Sequence, residues 1–356
     1  MWRCVITLVV VSLAVGAAHA GPLAPNDPYY APYQWYGPVL GLPEAWGYSL
    51  GSADVVVAVL DTGVMADTPD LAGRLLDPLT ATGTVLSGLE NHHGTWVATS
   101  VAMGVNDGLG GAGVGNVSIL PITVTNTLGG NASYDLATGI RMAADAGARV
   151  ITISHKTLKY GLLDDAAAYA RTQGALTFIA AGQDNLRNEM TDYANLIFVA
   201  GTDRDDERWV ASPTLGSNWG PHVDLAAPAI DILIADPHNP SLPSGYGLVP
   251  GTSFAAPLAA GAAAMAWSIC PGLTPDEVRG LLESTAVDLG DPGWDEVYGH
   301  GRVDVGAVAA GAYALTPEPA SVALLVAGGI AIFLRRRRRS RAVASRERQR
   351  AVNPGV

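Results

Sequence analysis

The chain has 356 residues, 49% of them hydrophobic and 15% charged, which excludes intrinsic disorder and allows one large domain or two ordinary ones. Its net charge of −12 hides an asymmetry: nine arginines lie between Arg335 and Arg350, so residues 21–334 carry 11 basic against 32 acidic side chains, a net of −21. So acidic a surface repels phosphate backbones and excludes nucleic acid as a partner.

Taken in chain order, residues 1–20 read as a secretory signal. Arg3 supplies the charged start, Val5 to Val15 the apolar run, and Ala18-His19-Ala20 the small-x-small cleavage point. Cys4 leaves with it, so Cys270 is alone in the mature chain, and neither a disulfide framework nor a cysteine-based zinc site is expected. The body then alternates two kinds of segment. Val55–Leu60, Ile119–Val124, Val150–Ser154, Leu176–Ala180, Leu196–Ala200 and His222–Ala226 are short apolar runs, the form of strands buried on both faces. Thr95–Met103, Ser133–Ala146, Leu162–Gln173 and Phe254–Ile269 between them predict helices. This alternation predicts an α/β fold with a parallel sheet covered on both faces, whose ligands gather at the carboxyl ends of the strands.

Gly108, Gly110 and Gly113 spell G-x-G-x-x-G, but they follow a helix and run into a strand. That is the reverse of a dinucleotide fingerprint and predicts a loop. At the far end, Thr316-Pro317-Glu318-Pro319-Ala320-Ser321 precedes an apolar run from Val322 to Leu334, and Arg335 to Arg339 follow without a break. The run is short against the ~20 residues that span a bilayer. The arginine block would hold its basic end in the cytoplasm.

Three short motifs fall at element boundaries. Asp61 follows the first buried strand, in Leu60-Asp61-Thr62-Gly63-Val64. Alone, it reads equally as a turn residue. His93 opens a helix in Asn91-His92-His93-Gly94-Thr95-Trp96-Val97-Ala98, where the helix N-terminus should disfavour the imidazolium and favour a neutral base. Joint metal ligation by the adjacent His92 and His93 is not expected, because adjacent positions do not share a helical face. Ser253 sits in Gly251-Thr252-Ser253-Phe254-Ala255-Ala256-Pro257, either as a helix cap or as a nucleophile whose own N–H helps hold an oxyanion.

Asp, His and Ser in that order, each beside small residues, match the chain order of the subtilisin-type triad. The sequence here resembles the subtilases, the peptidase S8 family of serine proteases, through Asp-Thr-Gly-Val, His-Gly-Thr-x-Val-Ala and Gly-Thr-Ser-x-Ala-x-Pro. Tyr36-Gly37-Pro38 and Pro43-Glu44-Ala45-Trp46 resemble its thermitase branch. The resemblance spans residues 27–312 and implies a subtilisin-like three-layer sandwich around a mostly parallel seven-stranded sheet. It also implies a serine endopeptidase acting on protein or peptide substrates, with Asp61, His93 and Ser253 catalytic and no cofactor for catalysis. Asp27, Asp70 and Asn106 fall where thermitase-like proteins place ligands of a structural calcium ion, a hard cation suited by carboxylate and amide oxygens. The C-terminal stretch, 316–339 with its basic tail 340–356, resembles the PEP-CTERM sorting signal of bacterial envelope proteins. That implies exosortase-type sorting machinery as a partner, a membrane contact through the apolar helix, and residence at the cell surface or in the extracellular matrix.

The sequence departs from the family at three points. Ala180-Ala181-Gly182 is followed by Gln183 where the family places an asparagine oxyanion donor, so Gln183 is either a displaced donor or a defect. Asn185 could replace it only if the loop is rearranged. Ser154-His155-Lys156-Thr157 stands where the family usually has Ser-Leu-Gly or Ser-Trp-Gly along the substrate, which sets a long cation beside the cleft. Finally, six residues separate Ala20 from Asp27, less than a folding prodomain. The alternative to a protease is therefore a catalytically impaired subtilase-like protein that binds or supports at the surface.

Overall fold

The computed structural model describes residues 20–83, 92–125, 133–155, 160–238 and 245–316. The signal segment through residue 19, the sorting signal beyond residue 316, and Lys156 lie outside the described residues. Three short helices come first, α1 (Tyr30–Tyr33), α2 (Tyr36–Val39) and α3 (Leu42–Trp46). Then follow β1 (Val56–Asp61), β2 (Leu79–Thr80), α4 (His93–Ala102), β3 (Ser118–Thr123), α5 (Ser133–Asp145), β4 (Val150–Ile153), α6 (Tyr160–Thr172), β5 (Leu176–Ala180) and β6 (Leu196–Thr202). The remainder is β7 (Val210–Ser212), β8 (Leu215–Gly216), β9 (Val223–Pro228), β10 (Ile232–Ala235), β11 (Tyr246–Val249), α7 (Thr252–Ile269), α8 (Pro275–Thr285) and α9 (Val305–Ala314).

Seven strands form one sheet in the order β2-β3-β1-β4-β5-β6-β9, and the neighbouring pairs run parallel. The expected α/β sandwich is thus observed, and six of the seven strands are those the apolar runs predicted. Alternate residues of each strand feed two separate cores. Val57 and Val59 of β1 pack with α4 and α7, whereas Ala58 and Leu60 pack with α5 and α6. Burial on both faces explains why these strands read as continuous apolar runs instead of alternating ones.

α7 is apolar around its whole circumference because the core surrounds it. Among the described residues it is the helix long and apolar enough to cross a membrane, and 83% of that window is buried inside the protein. Two predicted helix starts move: α4 opens at His93 and α7 at Thr252, each two residues earlier than the apolar pattern suggests. Both motif residues therefore lie in the first turn of a helix. The apolar pattern does not disclose α8, although a capping box announces it, with Thr274 and Glu277 bonding each other's backbone N–H.

Candidate active site

The chain reverses its direction of travel across the sheet at β1, which has β3 on one side and β4 on the other. Asp61 is the last residue of β1, Ser154 follows β4, and Ala181 to Gln183 follow β5, so all lie at carboxyl ends along one edge. Such an edge, at the strand where the order reverses, is where open α/β sheets bind ligands.

His93 is brought to Asp61 by the contact between their two motifs. Gly94 N–H donates to Thr62 Oγ1 at 3.0 Å, and Met65 N–H donates to Thr95 Oγ1 at 3.0 Å. Gly94 cannot carry a side chain here: a Cβ would lie 2.2 Å from the Gly63 carbonyl oxygen. His93 Nδ1 consequently meets both Asp61 oxygens, at 2.9 and 3.0 Å, and Asp61 also accepts the Thr62 N–H at 2.8 Å. Both groups are buried, His93 to 7% and Asp61 to 2% exposure. Burial, the largest influence on His93, disfavours the charged ring, but the Asp61 charge and its hydrogen bond together outweigh it. The His93 pKa therefore lies above its ordinary value of 6.5. This corrects the expectation of a disfavoured imidazolium: a carboxylate in direct contact outweighs a helix end that acts through partial charges.

The two adjacent histidines turn to different carboxylates, His92 Nδ1 lying 2.5 Å from Asp236 Oδ2. Ser253 is the second residue of α7, with Gly251 (φ 141°) as the N-cap, so Ser253 is not the cap. Its backbone is held from β4: Ser154 Oγ donates to the Ser253 carbonyl at 2.6 Å, and Ser253 Oγ donates to the Ser154 carbonyl at 3.4 Å. His93, Ser253, Ser154, His155, Gly182 and Gln183 all line one cleft of about 700 Å³. His155, predicted along the substrate, is buried to 5% and forms part of the cleft wall.

Gln183 is exposed at the cleft mouth, and its Oε1 sits 2.9 Å from where a Cβ on Gly251 would be. The longer side chain thus reaches back over the glycine that leads into Ser253. Asn185 is committed elsewhere: its Nδ2 donates to the Ser212 carbonyl at 3.1 Å, and its Oδ1 accepts from Arg208 at 2.8 Å. It does not substitute for Gln183. A residue that sequence reasoning missed, Asn218, shapes this loop instead. Its Oδ1 accepts the N–H groups of Asp184 (2.9 Å) and Leu186 (3.1 Å), and its Nδ2 would lie 2.4 Å from a Cβ at Gly182, which has φ +95°. No local signal points from Asn218 to a loop more than thirty residues away.

Asp27, Asp70 and Asn106 converge on the loop after α4. Asp27 accepts the N–H groups of Asn106 (2.7 Å), Asp107 (2.9 Å) and Gly108 (3.0 Å), and Asn106 Oδ1 accepts the Asn26 N–H at 3.1 Å. Asp70 is wholly buried and accepts from the Tyr246 hydroxyl at 3.0 Å, the Gly104 N–H at 3.2 Å and the Gly111 N–H at 3.4 Å. Burial pushes the Asp70 carboxyl up to about 7, while Tyr246 opposes that shift and the Asp107 charge adds to it. Burial likewise raises Asp27. The buried carboxyls of Asp27 and Asp70 reach this loop from separate segments and meet an amide oxygen, that of Asn106, the kinds of oxygen that suit a hard cation.

A parallel sheet carrying a buried histidine–carboxylate pair and a helix-borne serine at its carboxyl edge defines a hydrolase of the subtilisin-like serine protease class. Comparison with known proteins agrees: the family model described as "Subtilase family" matches residues 52–301, and the chain belongs to that family. It is 35% identical to thermitase of Thermoactinomyces vulgaris over 288 residues, which cover 79% of this chain and 97% of that protein. It is also 35% identical over 292 residues to the halolysin-like extracellular serine protease Nep of Natrialba magadii, covering 79% of this chain but only 52% of that relative's length. Among solved structures, one titled as proteases from Pseudoalteromonas arctica PAMC 21717 superposes with a TM-score of 0.66 at 30% identity, covering 81% of this chain and 99% of that one.

Proposed function

We propose that this chain is an exported, surface-anchored serine endopeptidase that cleaves protein or peptide substrates through Asp61, His93 and Ser253. The observation that carries the reading is the Asp61–His93 pair, buried and in contact at 2.9 Å, on the same cleft as Ser253. Ser253 Oγ attacks the substrate carbonyl, and His93 takes its proton and returns it to the leaving amine. Asp61 holds the ring with Nε2 toward the serine and stabilises the imidazolium. The amides of the first turn of α7 have no acceptor within the helix, so the Ser253 N–H is available to the oxyanion. Gln183 supplies the second donor from the mouth of the cleft. Export rests on the signal segment and on extracellular relatives such as Nep; anchoring rests on the PEP-CTERM resemblance and its sorting machinery.

The test is covalent labelling by a fluorophosphonate, with Ser253→Ala as control and circular dichroism to confirm folding. Labelling that disappears in the Ser253→Ala protein supports an activated nucleophile. A folded protein that refuses the probe would instead point to a cleft that binds without cleaving, with Gln183 as the cause.

The second part of the proposal is a structural calcium ion at Asp27, Asp70 and Asn106, where the cation would neutralise two buried carboxylates and fix the loop after α4. It takes no part in the reaction. At saturating calcium the ion would add about 2–3 kcal/mol to stability. Chelation should then lower the thermal midpoint by about 5 °C or more; an unchanged midpoint would reject the site.

A further inference from the structure

Trp96 occupies the position that the signature His-Gly-Thr-x-Val-Ala leaves open. It is half-buried and lines the cleft, and its ring lies 6.4 Å from that of His93, centroid to centroid. A half-exposed indole in a cleft offers a large apolar face that can bind at small conformational cost. This one is also fixed in orientation. Its Nε1–H donates to Asp236 Oδ2 at 2.7 Å, and the His92 ring packs edge-on against it at 6.3 Å.

Asp236 is wholly buried where β10 ends, and it takes two further hydrogen bonds, from His92 Nδ1 at 2.5 Å and from the His238 N–H at 2.9 Å. The carboxylate thus ties three groups together: the residue before the candidate base, the indole one turn on, and the end of the β10–β11 hairpin. The other strand of that hairpin delivers Val249 and Pro250 to the cleft, immediately ahead of Gly251 and Ser253.

The cleft is lined from two sets of elements. Ser154, His155 and Ala180 to Gln183 come from the ends of β4 and β5, whereas Trp96 lies on α4 with His93, and Val249 and Pro250 come from the end of β11. In acyl transfer the base returns its proton to the departing amine, so the amine half of the substrate must lie over the His93 side. We infer that Trp96 determines specificity for the residue just after the scissile bond, selecting substrates with an apolar or aromatic side chain there, and that Asp236 is the positioning residue that locks the indole. This rests on the serine protease reading of the same cleft. The substrate class follows from these three residues: an indole, a valine and a proline present apolar surface.

The experiment compares kcat/KM for two peptides that differ only in the residue after the scissile bond, leucine against serine, with the full chain. The wild type should favour leucine by about ten-fold, in line with what apolar contacts discriminate. Trp96→Ala should collapse that ratio toward one by slowing the leucine peptide, and Trp96→Phe should restore part of it. Asp236→Leu, which touches no substrate, should lower the same ratio by freeing the indole. Equal slowing of both peptides in Trp96→Ala, with the ratio kept, would mean a structural role and overturn the inference, as would a wild type with no preference. Failure of folded wild type to cleave either peptide or to take the fluorophosphonate would overturn the protease reading itself, which is a distinguishable result.

Discussion

His92 and His93 are neighbours in the chain, and each ring meets a carboxylate supplied by a different element. His93 meets Asp61 from the end of β1, and both are buried. His92 meets Asp236 from the end of β10, and its own side chain keeps 29% exposure. One pair is buried and faces the cleft that holds the candidate nucleophile; the other braces an indole that lines the same cleft. A histidine bonded to an aspartate is therefore not a catalytic sign in itself. What separates the two is placement: His93 lines the cleft that Ser253 also lines, whereas the His92 ring packs against Trp96.

Breaking each pair should sharpen the contrast. Asp61→Asn should lower kcat by about 10⁴-fold, because the ring loses both its tautomer and its countercharge. Its acid limb should also move: His93 titrates above its ordinary value, so wild-type kcat/KM falls as pH drops through that raised pKa. Without the Asp61 charge the limb should shift to lower pH, read from the pH profile of the residual activity. Asp236→Asn should leave the acid limb in place and act mainly on selectivity after the scissile bond.

An intermediate effect is expected at Gln183. If its amide serves the oxyanion, Gln183→Ala should cost about 10²-fold in kcat, and Gln183→Asn should retain more activity than the alanine variant. Equal rates for wild type and Gln183→Ala would remove it from the mechanism.

The smallest effect concerns another buried carboxyl, Asp70, which has a hydroxyl where Asp61 and Asp236 have a ring. Its folded pKa of about 7 lies above the ordinary 3.8, so the folded state binds the proton more tightly than the unfolded one. In chelator, stability should then be fullest below about pH 4 and fall as pH rises toward 7. Asp70→Asn should flatten that slope and raise the midpoint in chelator at pH 8 by about 2–4 °C, while abolishing any response to calcium. Thermal melts with and without calcium across that range would check both statements.

Much of this was legible in the residues. The strands at 56–61, 118–123, 150–153, 176–180, 196–202 and 223–228 are apolar on both faces because helices cover both, and that burial is written directly into composition. Asp61, His93 and Ser253 were legible because each lies in a short motif whose glycines and small residues are needed for close approach, as Gly94 against Gly63 illustrates. The reach of Gln183 over Gly251, the burial of His155, and the commitment of Asn185 to the Ser212 carbonyl were not. The first and the last depend on partners 68 and 27 residues away.

The sequence by itself determined the layered parallel sheet and the three residues at its carboxyl edge, because periodic burial and tight turns are local constraints that residue type obeys directly. Only the tertiary structure decided that Asp236 reaches back to His92 and Trp96, that Asn218 shapes the Gly182 loop, and that Asp61 raises the affinity of His93 for its proton against burial. Those outcomes are sums of contacts between distant segments, and the sign of such a sum emerges only when distances and burial are known together.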